Sequence, residues 1–557
     1  MHGNGIIKEK NIPCTLSDGV VLRSDVYRPD DGQRYPVLML RLPYDKETPR
    51  YYDEYLDVPR MVEAGYVVIL QDVRGRFASD GDFYPFIHEG KDGYEAVEWA
   101  AELPFSDGNV GLFGMSYHGY TQLAAAAEKP PSLKAIAPVM TMADPWGDIL
   151  GGENSPHATG EFETWVLGSI VEDQLKRKGN LDETDKFHRY LEELSKWLYH
   201  APADEWYPMK DLDPDSFFFD VMKGTLPDWW MEKTKLHRAL HSISVPALFM
   251  GGWFDALLKP TLEAFHAYNG PNMLWIGPWT HEEMTGRAGE VFFDHAKKKI
   301  GVDEIADPTD LHIRWFNHWL KGKPLSIEKN VHLYMMGQEM WNAFNEWPEP
   351  AAMMDLFLHS SGNSQTIHGD GKLSTELTPN ETKSAMKLDP KNPVPAYGGN
   401  VLIAGNESGM FDVSHIQDRS DVLVYTSEPI SEDCKLFGTV KAVIWGSSSS
   451  ELLDVSIRIS DVDEFGRAYN IVDTFHREKV DAGTQVCLEL DIGTTAYLVR
   501  KGHCIRLDIA ASNAPHYDIN LNNGTTTKTH SEGKTDAEYV HQGGEMNSKI
   551  ILPLAEL

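Results

Sequence analysis

The sequence predicts an α/β domain with a mostly parallel sheet, an inserted helical segment and a C-terminal all-β domain. Near-continuous apolar runs alternate with helical patterns over residues 1–142, which is typical of parallel strands covered by helices. Residues 143–242 lack long apolar runs and carry helix-like patterns. From about residue 351, short strand-like runs recur between clusters of Gly, Asp, Asn and Ser, as in a jelly-roll sandwich.

Hydrophobic periodicity identifies the first elements. Residues 1 to about 30 alternate, as in VVLRSDVYRP, and predict an antiparallel hairpin that leads into the sheet. The runs Tyr35–Leu42 and Gly65–Gln71 are apolar almost throughout, so we expect each to be a strand buried on both faces. Helical patterns cover Tyr52–Ala64 and Asp92–Glu102.

The stretch Asn109–Pro130, NVGLFGMSYHGYTQLAAAAEKP, predicts a short strand, a sharp turn and an alanine-rich helix that runs to about Lys129. Ser116 lies in the turn between two glycines, which is the layout of a nucleophile elbow. Glycines are needed where a side chain would clash with the neighbouring strand and helix. The pattern departs from Gly-x-Ser-x-Gly, because His118 stands where the second glycine would be.

Further strands are expected at Leu133–Met140, Val245–Met250 and Met273–Ile276, and a helix closes this part near Leu320. The inserted segment between them is rich in tryptophan, and we interpret it as a helical cap over the sheet. Its tryptophans are Trp146, Trp165, Trp197, Trp206, Trp229 and Trp230. The predicted boundaries are therefore 1–142 and 243–350 for the two parts of the core, 143–242 for the cap and 351–557 for the jelly roll.

The composition indicates a soluble globular protein, with 557 residues, 41% hydrophobic and 24% charged. Its formal net charge of −33 argues against nucleic acid or an anionic membrane as a partner. The sequence has four cysteines without a close pair, no signal-peptide pattern and no apolar run of membrane-spanning length. We therefore expect free thiols and a cytoplasmic protein.

Polar residues that follow the predicted strands indicate a catalytic site, because active sites of parallel sheets lie beyond the carboxyl ends of the strands. Ser116, Asp255 and His281 each follow a different strand, in the chain order of α/β-hydrolase triads. Serine is a weak nucleophile and needs a base such as His281, whose imidazole Asp255 would orient. The backbone amide of Tyr117 and the hydroxyl of Tyr44 are candidate oxyanion donors.

Each of these residues taken alone has a structural alternative. Asp255 could cap the following helix, His281 could be an exposed loop histidine, and Tyr44 could be a packing tyrosine. His118 shares the tight turn of the nucleophile, so we interpret it as a residue behind the site or in the pocket, not as the base. His281 is not part of a His-Glu-x-x-His zinc motif, and the sequence predicts no metal site.

The chain resembles the CocE/NonD family of serine hydrolases, which contains esterases, acylases and X-Pro dipeptidyl-peptidases. The matching segments are RLPYDK, QDVRGRFASDGDF, GLFGMSYHGYTQLAAA, PALFMGGWFDAL, GPWTH, PAYGG and QDRSDVLVYTSEP. They span nearly the whole chain in the order of the family. The resemblance implies an α/β-hydrolase core, a helical cap, a C-terminal jelly roll, and a Ser-His-Asp mechanism without a cofactor.

The resemblance also bears on the substrate. Family members that act on free α-amino groups hold the ammonium with acidic residues, one of them close after the nucleophile, and this turn offers no carboxylate. We therefore expect a small-molecule ester as the substrate, with amides as an alternative. Trp146, Trp165, Trp253 and Phe254 are candidate walls of an apolar acyl pocket. A homo-oligomer is compatible with the sequence.

Two alternatives stay open at this point. An acylase or an X-Pro dipeptidyl-peptidase would use the same machinery and differ mainly in how the leaving group is protonated. A catalytically inactive carbohydrate- or ligand-binding protein is the alternative of another class, because jelly rolls resemble carbohydrate-binding modules. The presence of all three triad residue types argues against the second alternative.

Overall fold

The computed structural model describes residues 5–150, 158–180, 183–200, 203–293, 296, 299–522 and 533–556. The strands before residue 345 form one large sheet and a separate two-stranded sheet. They are β1 (Ile6–Thr15), β2 (Val21–Pro29), β3 (Tyr35–Leu42), β4 (Val67–Asp72), β5 (Ser106–Met115), β6 (Leu133–Val139), β7 (Ala247–Phe254), β8 (Asn272–Thr280), β9 (Arg287–Ala288), β10 (Val291–Phe292), β11 (Val331–Met335) and β12 (Met340–Phe344).

Within the described residues, the first sheet has the order β1-β2-β4-β3-β5-β6-β7-β8-β11-β12, and β9 pairs with β10. The predicted hairpin of β1 and β2 is confirmed as antiparallel. The strands from β4 to β11 in that order are parallel to one another, whereas β2 and β12 pair antiparallel with β4 and β11. The carboxyl ends of β3, β5, β7 and β8 therefore lie at one edge of the sheet.

Helices cover both faces of this sheet and form the cap, and one short helix, Ser414–Gln417, lies in the C-terminal part of the chain. They are α1 (Val58–Glu63), α2 (Glu89–Glu102), α3 (Tyr117–Ala127), α4 (Pro145–Leu150), α5 (Thr159–Trp165), α6 (Val171–Arg177), α7 (Thr184–Glu192), α8 (Leu194–Trp197), α9 (Tyr207–Leu212), α10 (Phe217–Met222), α11 (Asp228–Thr234), α12 (His237–Leu240), α13 (Leu258–Ala267), α14 (Pro308–Lys321) and α15 (Ser414–Gln417). A π-helical turn at Val166–Ile170 joins α5 to α6, and 3₁₀ turns lie at Pro49–Tyr51 and Ala203–Glu205.

Two helix boundaries differ from the prediction. The helix expected over Tyr52–Ala64 is limited to α1, because the Asp57 side chain accepts a hydrogen bond from the backbone N–H of Arg60 and caps the helix there. The next helix begins at Glu89, three residues before the predicted start at Asp92.

The second large sheet forms the C-terminal β-rich domain. Its strands are β13 (Ala352–His359), β14 (Lys372–Ser374), β15 (Thr382–Leu388), β16 (Val422–Ser427), β17 (Cys434–Ser448), β18 (Leu452–Val462), β19 (Ala468–Lys479), β20 (Val486–Val499), β21 (Cys504–Ala510), β22 (Asp536–Gln542) and β23 (Lys549–Leu554). In the described part of the chain their order is β15-β22-β17-β23-β13-β14-β16-β21-β18-β19, with β20 on β17. Buried apolar residues of this domain and of the α/β domain form one continuous core.

The described helices include none with the length and hydropathy that crossing a bilayer requires.

A buried arginine joins the α/β core to the cap. The Arg76 side chain is fully buried in the glycine-rich loop after β4. Its guanidinium donates to the carbonyl oxygens of Pro43 at 2.8 Å, Ile170 at 2.9 Å and Ser169 at 3.0 Å. It also lies 3.4 Å from a carboxylate oxygen of Asp173 in α6. Burial lowers the pKa of Arg76 to about 10, which leaves the group charged at neutral pH and dependent on these partners.

We predict that Arg76→Met destabilises the protein by about 3–5 kcal/mol, because it leaves Asp173 and three carbonyl groups buried without their partner. Urea unfolding measures the loss. The matched control is Arg60→Met, which removes an ion pair with Asp307 whose side chains are 38% and 40% exposed. That control is expected to cost less than about 1 kcal/mol. Equal losses in the two variants would contradict the role of Arg76.

Candidate active site

Ser116 lies in a strained turn between β5 and α3. Its backbone has φ 60° and ψ −128°, outside the regions that an L-amino acid normally adopts. The Ser116 N–H is shared between the carbonyl oxygens of Val139 at 2.9 Å and Met140 at 3.0 Å, at the end of β6. Strain of this kind costs of the order of 1–3 kcal/mol and is concentrated at functional sites.

The two glycines around Ser116 are required by close contacts. Gly114 has φ 140°, and a β-carbon there would lie 2.8 Å from Nδ1 of His118. A β-carbon at Gly119 would lie 2.5 Å from the β-carbon of Thr141. The spacing Gly-x-Ser-x-x-Gly therefore follows from packing on both sides of the turn.

Asp255 and His281 form a hydrogen-bonded pair at the same edge of the sheet. Asp255 follows β7, His281 follows β8, and the distance from His281 Nδ1 to Asp255 Oδ1 is 2.7 Å. Their exposed fractions are 0% for Asp255 and 7% for His281. A pair this well shielded from water holds the imidazole in one orientation, with Nε2 directed away from the carboxylate. Ser116, at the end of β5, lies on this edge as well.

The C-terminal domain contacts this pair. Asn400, in the loop with sequence PAYGGN, donates through Nδ2 to the backbone carbonyl of Asp255 at 3.1 Å. The same carbonyl accepts a bond from the N–H of Leu258 at the start of α13. The backbone at Asp255 is therefore held from two domains.

Tyr44 follows β3 and reaches the site from the neighbouring loop. The indole Nε1–H of Trp165 donates to the Tyr44 hydroxyl oxygen at 2.9 Å. Because that contact uses a lone pair of the phenol, the hydroxyl proton of Tyr44 stays available for another acceptor. Burial raises the pKa of Tyr44, so the group remains protonated at neutral pH.

The Tyr117 hydroxyl forms hydrogen bonds with Glu89 and Phe86. Its hydroxyl donates to Oε1 of Glu89 at 2.9 Å and accepts the N–H of Phe86 at 2.8 Å. The buried Glu89 carboxylate also pairs with Arg41 at 3.1 Å. Tyr117 is the first residue of α3, where backbone N–H groups have no partner within the helix. The hydroxyl of Tyr117 is therefore already hydrogen-bonded, whereas its backbone N–H has no partner within the helix.

Aromatic side chains of the cap pack above these residues. The Trp165 ring stacks on Tyr117 with centroids 6.4 Å apart, and it also contacts Phe217 at 6.3 Å. Trp146 joins the cluster through Phe86, at 5.4 Å. The structure therefore brings Trp146 and Trp165, two of the four predicted pocket residues, to the aromatic cluster beside Tyr117.

The other two predicted pocket residues are placed within the sheet. Trp253 is 1% exposed and its Nε1 donates to the carbonyl oxygen of Tyr334 in β11 at 2.7 Å. Phe254 is fully buried on β7. No ring contact among the described residues joins either side chain to Tyr44 or Trp165. Although both residues precede Asp255 directly in the sequence, their side chains do not join the aromatic cluster beside Tyr117.

The sequence does not predict the contacts that three residues around the site make. The acidic start of α2 signalled a helix but not the bond from Tyr117 to Glu89, and nothing local in PAYGGN indicated the contact of Asn400 with Asp255. His118 accepts the backbone N–H of Met115 at 2.8 Å.

Within the described residues, one group of His, Asp and Glu side chains is close enough to hold a metal ion, and it lies away from this site, where the cap joins the core. Its members are Asp148, His237 and Glu263.

Family models match both domains of the chain. Residues 18–283 match the X-Pro dipeptidyl-peptidase (S15 family) model. Residues 326–551 match the model of the X-Pro dipeptidyl-peptidase C-terminal non-catalytic domain. The two matches together cover the sheet edge with Ser116, Asp255 and His281 and most of the C-terminal sheet.

Individual proteins agree with these models. The chain is 31% identical to a cocaine esterase of Rhodococcus sp. (strain MB1 Bresler), over 98% of each chain. The structure of an α-amino acid ester hydrolase matches with a TM-score of 0.79 at 19% identity, covering 99% of this chain and 97% of the other. A CocE/NonD family hydrolase from Staphylococcus aureus matches with a TM-score of 0.69 at 17% identity, covering 99% and 94%. The chain therefore belongs to the CocE/NonD family of serine hydrolases, with the two domains that the S15-family models describe.

Proposed function

We propose that this serine hydrolase cleaves carboxylic esters through an acyl-enzyme, with Ser116 as nucleophile, His281 as base and Asp255 as the orienting acid. The observation that carries the proposal is the 2.7 Å hydrogen bond from His281 Nδ1 to Asp255, on the sheet edge where the strained Ser116 lies. With Nδ1 engaged, Nε2 of His281 is the nitrogen left to accept the hydroxyl proton of the serine.

The reaction follows from this arrangement. Ser116 Oγ attacks the ester carbonyl while His281 Nε2 takes its proton, and the buried Asp255 carboxylate stabilises the imidazolium that forms. His281 then gives that proton to the leaving alcohol as the carbon–oxygen bond breaks. A water molecule, deprotonated by His281, then attacks the acyl-enzyme. The imidazolium returns this proton to Ser116 Oγ as the bond between Oγ and the acyl carbon breaks and the acid is released.

The oxyanion of each tetrahedral intermediate would be bound by two donors. One is the backbone N–H of Tyr117 at the start of α3, where the helix dipole also favours negative charge. The other is the Tyr44 hydroxyl, because Trp165 donates to its oxygen and leaves its proton free. Preorganised donors of this kind supply a large share of the acceleration in acyl transfer.

The surroundings support an apolar acyl group. Trp146 and Trp165 lie in the aromatic cluster over Tyr117, and the elbow turn carries His118 and Tyr120 without a carboxylate to bind an ammonium group. The S15 family model favours a second candidate, cleavage of X-Pro peptides. Both reactions use the same triad, so substrate comparison separates them.

We further propose a cytoplasmic location and a small-molecule substrate as partner. The described cysteines, which are Cys14, Cys434, Cys487 and Cys504, are free thiols, as is usual in a reducing compartment. The net charge of −33 disfavours nucleic acid and anionic lipid surfaces. Cell fractionation with an antibody to the chain tests the location.

We predict that Ser116→Ala lowers p-nitrophenyl ester hydrolysis by at least about 1,000-fold, because the nucleophile is lost. It should also abolish labelling by a fluorophosphonate probe. The matched control is Ser242→Ala, an exposed serine whose hydroxyl bonds the carbonyl of Ala239, and it should leave both readouts unchanged. Full labelling of the Ser116→Ala variant would refute the assignment.

Tyr44→Phe is expected to lower kcat by about 100- to 1,000-fold with a small change in KM, because it removes one oxyanion donor. Steady-state kinetics with the same ester measures both constants. Tyr52→Phe, on a half-buried ring that packs against Tyr27, is the control and should keep the kcat of the wild type. An unchanged kcat in Tyr44→Phe would place the second oxyanion donor elsewhere.

Substrate preference is tested with a panel of chromogenic compounds. We expect kcat/KM for benzoyl esters to exceed that for acetyl esters by about 10-fold or more, because an aromatic acyl group buries apolar surface against the cap. Ala-Pro-p-nitroanilide, with its free amine, should be a poor substrate. A higher kcat/KM for that peptide than for the esters would favour the X-Pro dipeptidyl-peptidase alternative.

A further inference from the structure

The strained turn at Ser116 depends on side chains that satisfy its neighbouring backbone groups. The Gln122 amide donates to the carbonyl oxygen of Gly114 at 2.9 Å. The Thr141 hydroxyl donates to the carbonyl oxygen of Ser116 at 3.1 Å. The N–H of Met115, next to the serine, donates to Nδ1 of His118 at 2.8 Å. Without such partners, buried backbone groups in an irregular turn would each cost about 1–3 kcal/mol.

The His118 ring is held in place by tyrosines. His118 is 2% exposed, and the rings of Tyr51, Tyr44 and Tyr55 contact it roughly edge-on, with centroids 5.5, 5.9 and 6.1 Å away. Edge-to-face contacts of this kind are favourable beyond their apolar burial. The side chain therefore has little freedom to turn its Nδ1 away from the N–H of Met115.

The hydrogen bond from the Met115 N–H fixes the tautomer of the His118 imidazole. Nδ1 accepts a hydrogen bond, so in the neutral ring the proton is on Nε2. A proton on Nδ1 would set two N–H groups against each other. The titratable groups that face the ring are Arg50 and His281, and a positive charge on either one opposes protonation of His118. Burial, with their help, lowers the pKa of His118 well below its usual range.

We propose that His118 is a positioning residue, which keeps Ser116 aligned for attack by accepting the Met115 N–H at its Nδ1. The inference rests on the proposed role of Ser116 as nucleophile. An asparagine at this position would serve the same purpose, because its side-chain oxygen can occupy the place of Nδ1. A leucine fills similar volume and offers no acceptor.

The test compares His118→Asn with His118→Leu. The leucine variant should lose about 10- to 100-fold in kcat, as expected for a displaced nucleophile, with KM within about threefold of the wild type. Fluorophosphonate labelling of Ser116 should slow by a similar factor. The asparagine variant should stay within about fivefold of the wild type. His312→Asn, on a buried histidine of α14, is the control and should keep full kcat.

Three kinetic results would overturn the proposal. They are a leucine variant as fast as the wild type, an asparagine variant as slow as the leucine variant, and a loss confined to KM, which would make His118 a substrate contact. Thermal unfolding of each variant shows whether a slow enzyme is folded.

A spectroscopic measurement on the wild type tests the proposal independently of turnover. With ¹⁵N-labelled histidine, His118 should show an unprotonated Nδ1 and a protonated Nε2 at neutral pH. His312 provides the internal reference of opposite type, because its Nδ1 lies 2.7 Å from the carbonyl oxygen of Pro308 and must carry the proton. An Nδ1–H signal for His118 would refute the proposal, whereas a failure of the esterase assignment would leave this readout intact.

Discussion

The left-handed backbone at Ser116 is the constraint on which the site depends. An L-residue there has φ 60°, and the turn exists because the ends of β5 and β6 supply its hydrogen-bond partners. Close contacts at Gly114 and Gly119 then exclude any other residue on either side. The parallel sheet as a whole holds the turn in this strained conformation. For that reason the serine hydroxyl is presented at a fixed place relative to the ends of β7 and β8.

Much of this could be predicted from the sequence, because the information is local. Continuous apolar runs identified the parallel strands, and a polar residue at the end of each run located Ser116, Asp255 and His281 on one edge. The elbow was recognisable because an apolar run, a serine between two glycines and an alanine-rich helical pattern follow one another directly in the sequence. The helix starts were less predictable, since Asp57 caps α1 through a side-chain contact that periodicity does not encode.

What could not be predicted depends on contacts between distant segments. The availability of the Tyr44 proton is set by Trp165, which lies 121 residues away in the cap. Trp253 was expected in the pocket because it is next to Asp255 in the chain, but its indole donates to Tyr334 in β11. The contacts of a strand side chain depend on which strands are its neighbours. The sequence alone does not show which strands these are.

The cap segment that contains α5 and α6 is attached at two points. Arg76 holds the turn between these helices through the carbonyls of Ser169 and Ile170. At the second point, Glu161 accepts the N–H of Leu402 at 3.2 Å and lies 3.0 Å from His516. Lifting this segment like a hinged lid would break contacts to two domains at once. Admission of a substrate with this segment kept in place would avoid that energetic cost.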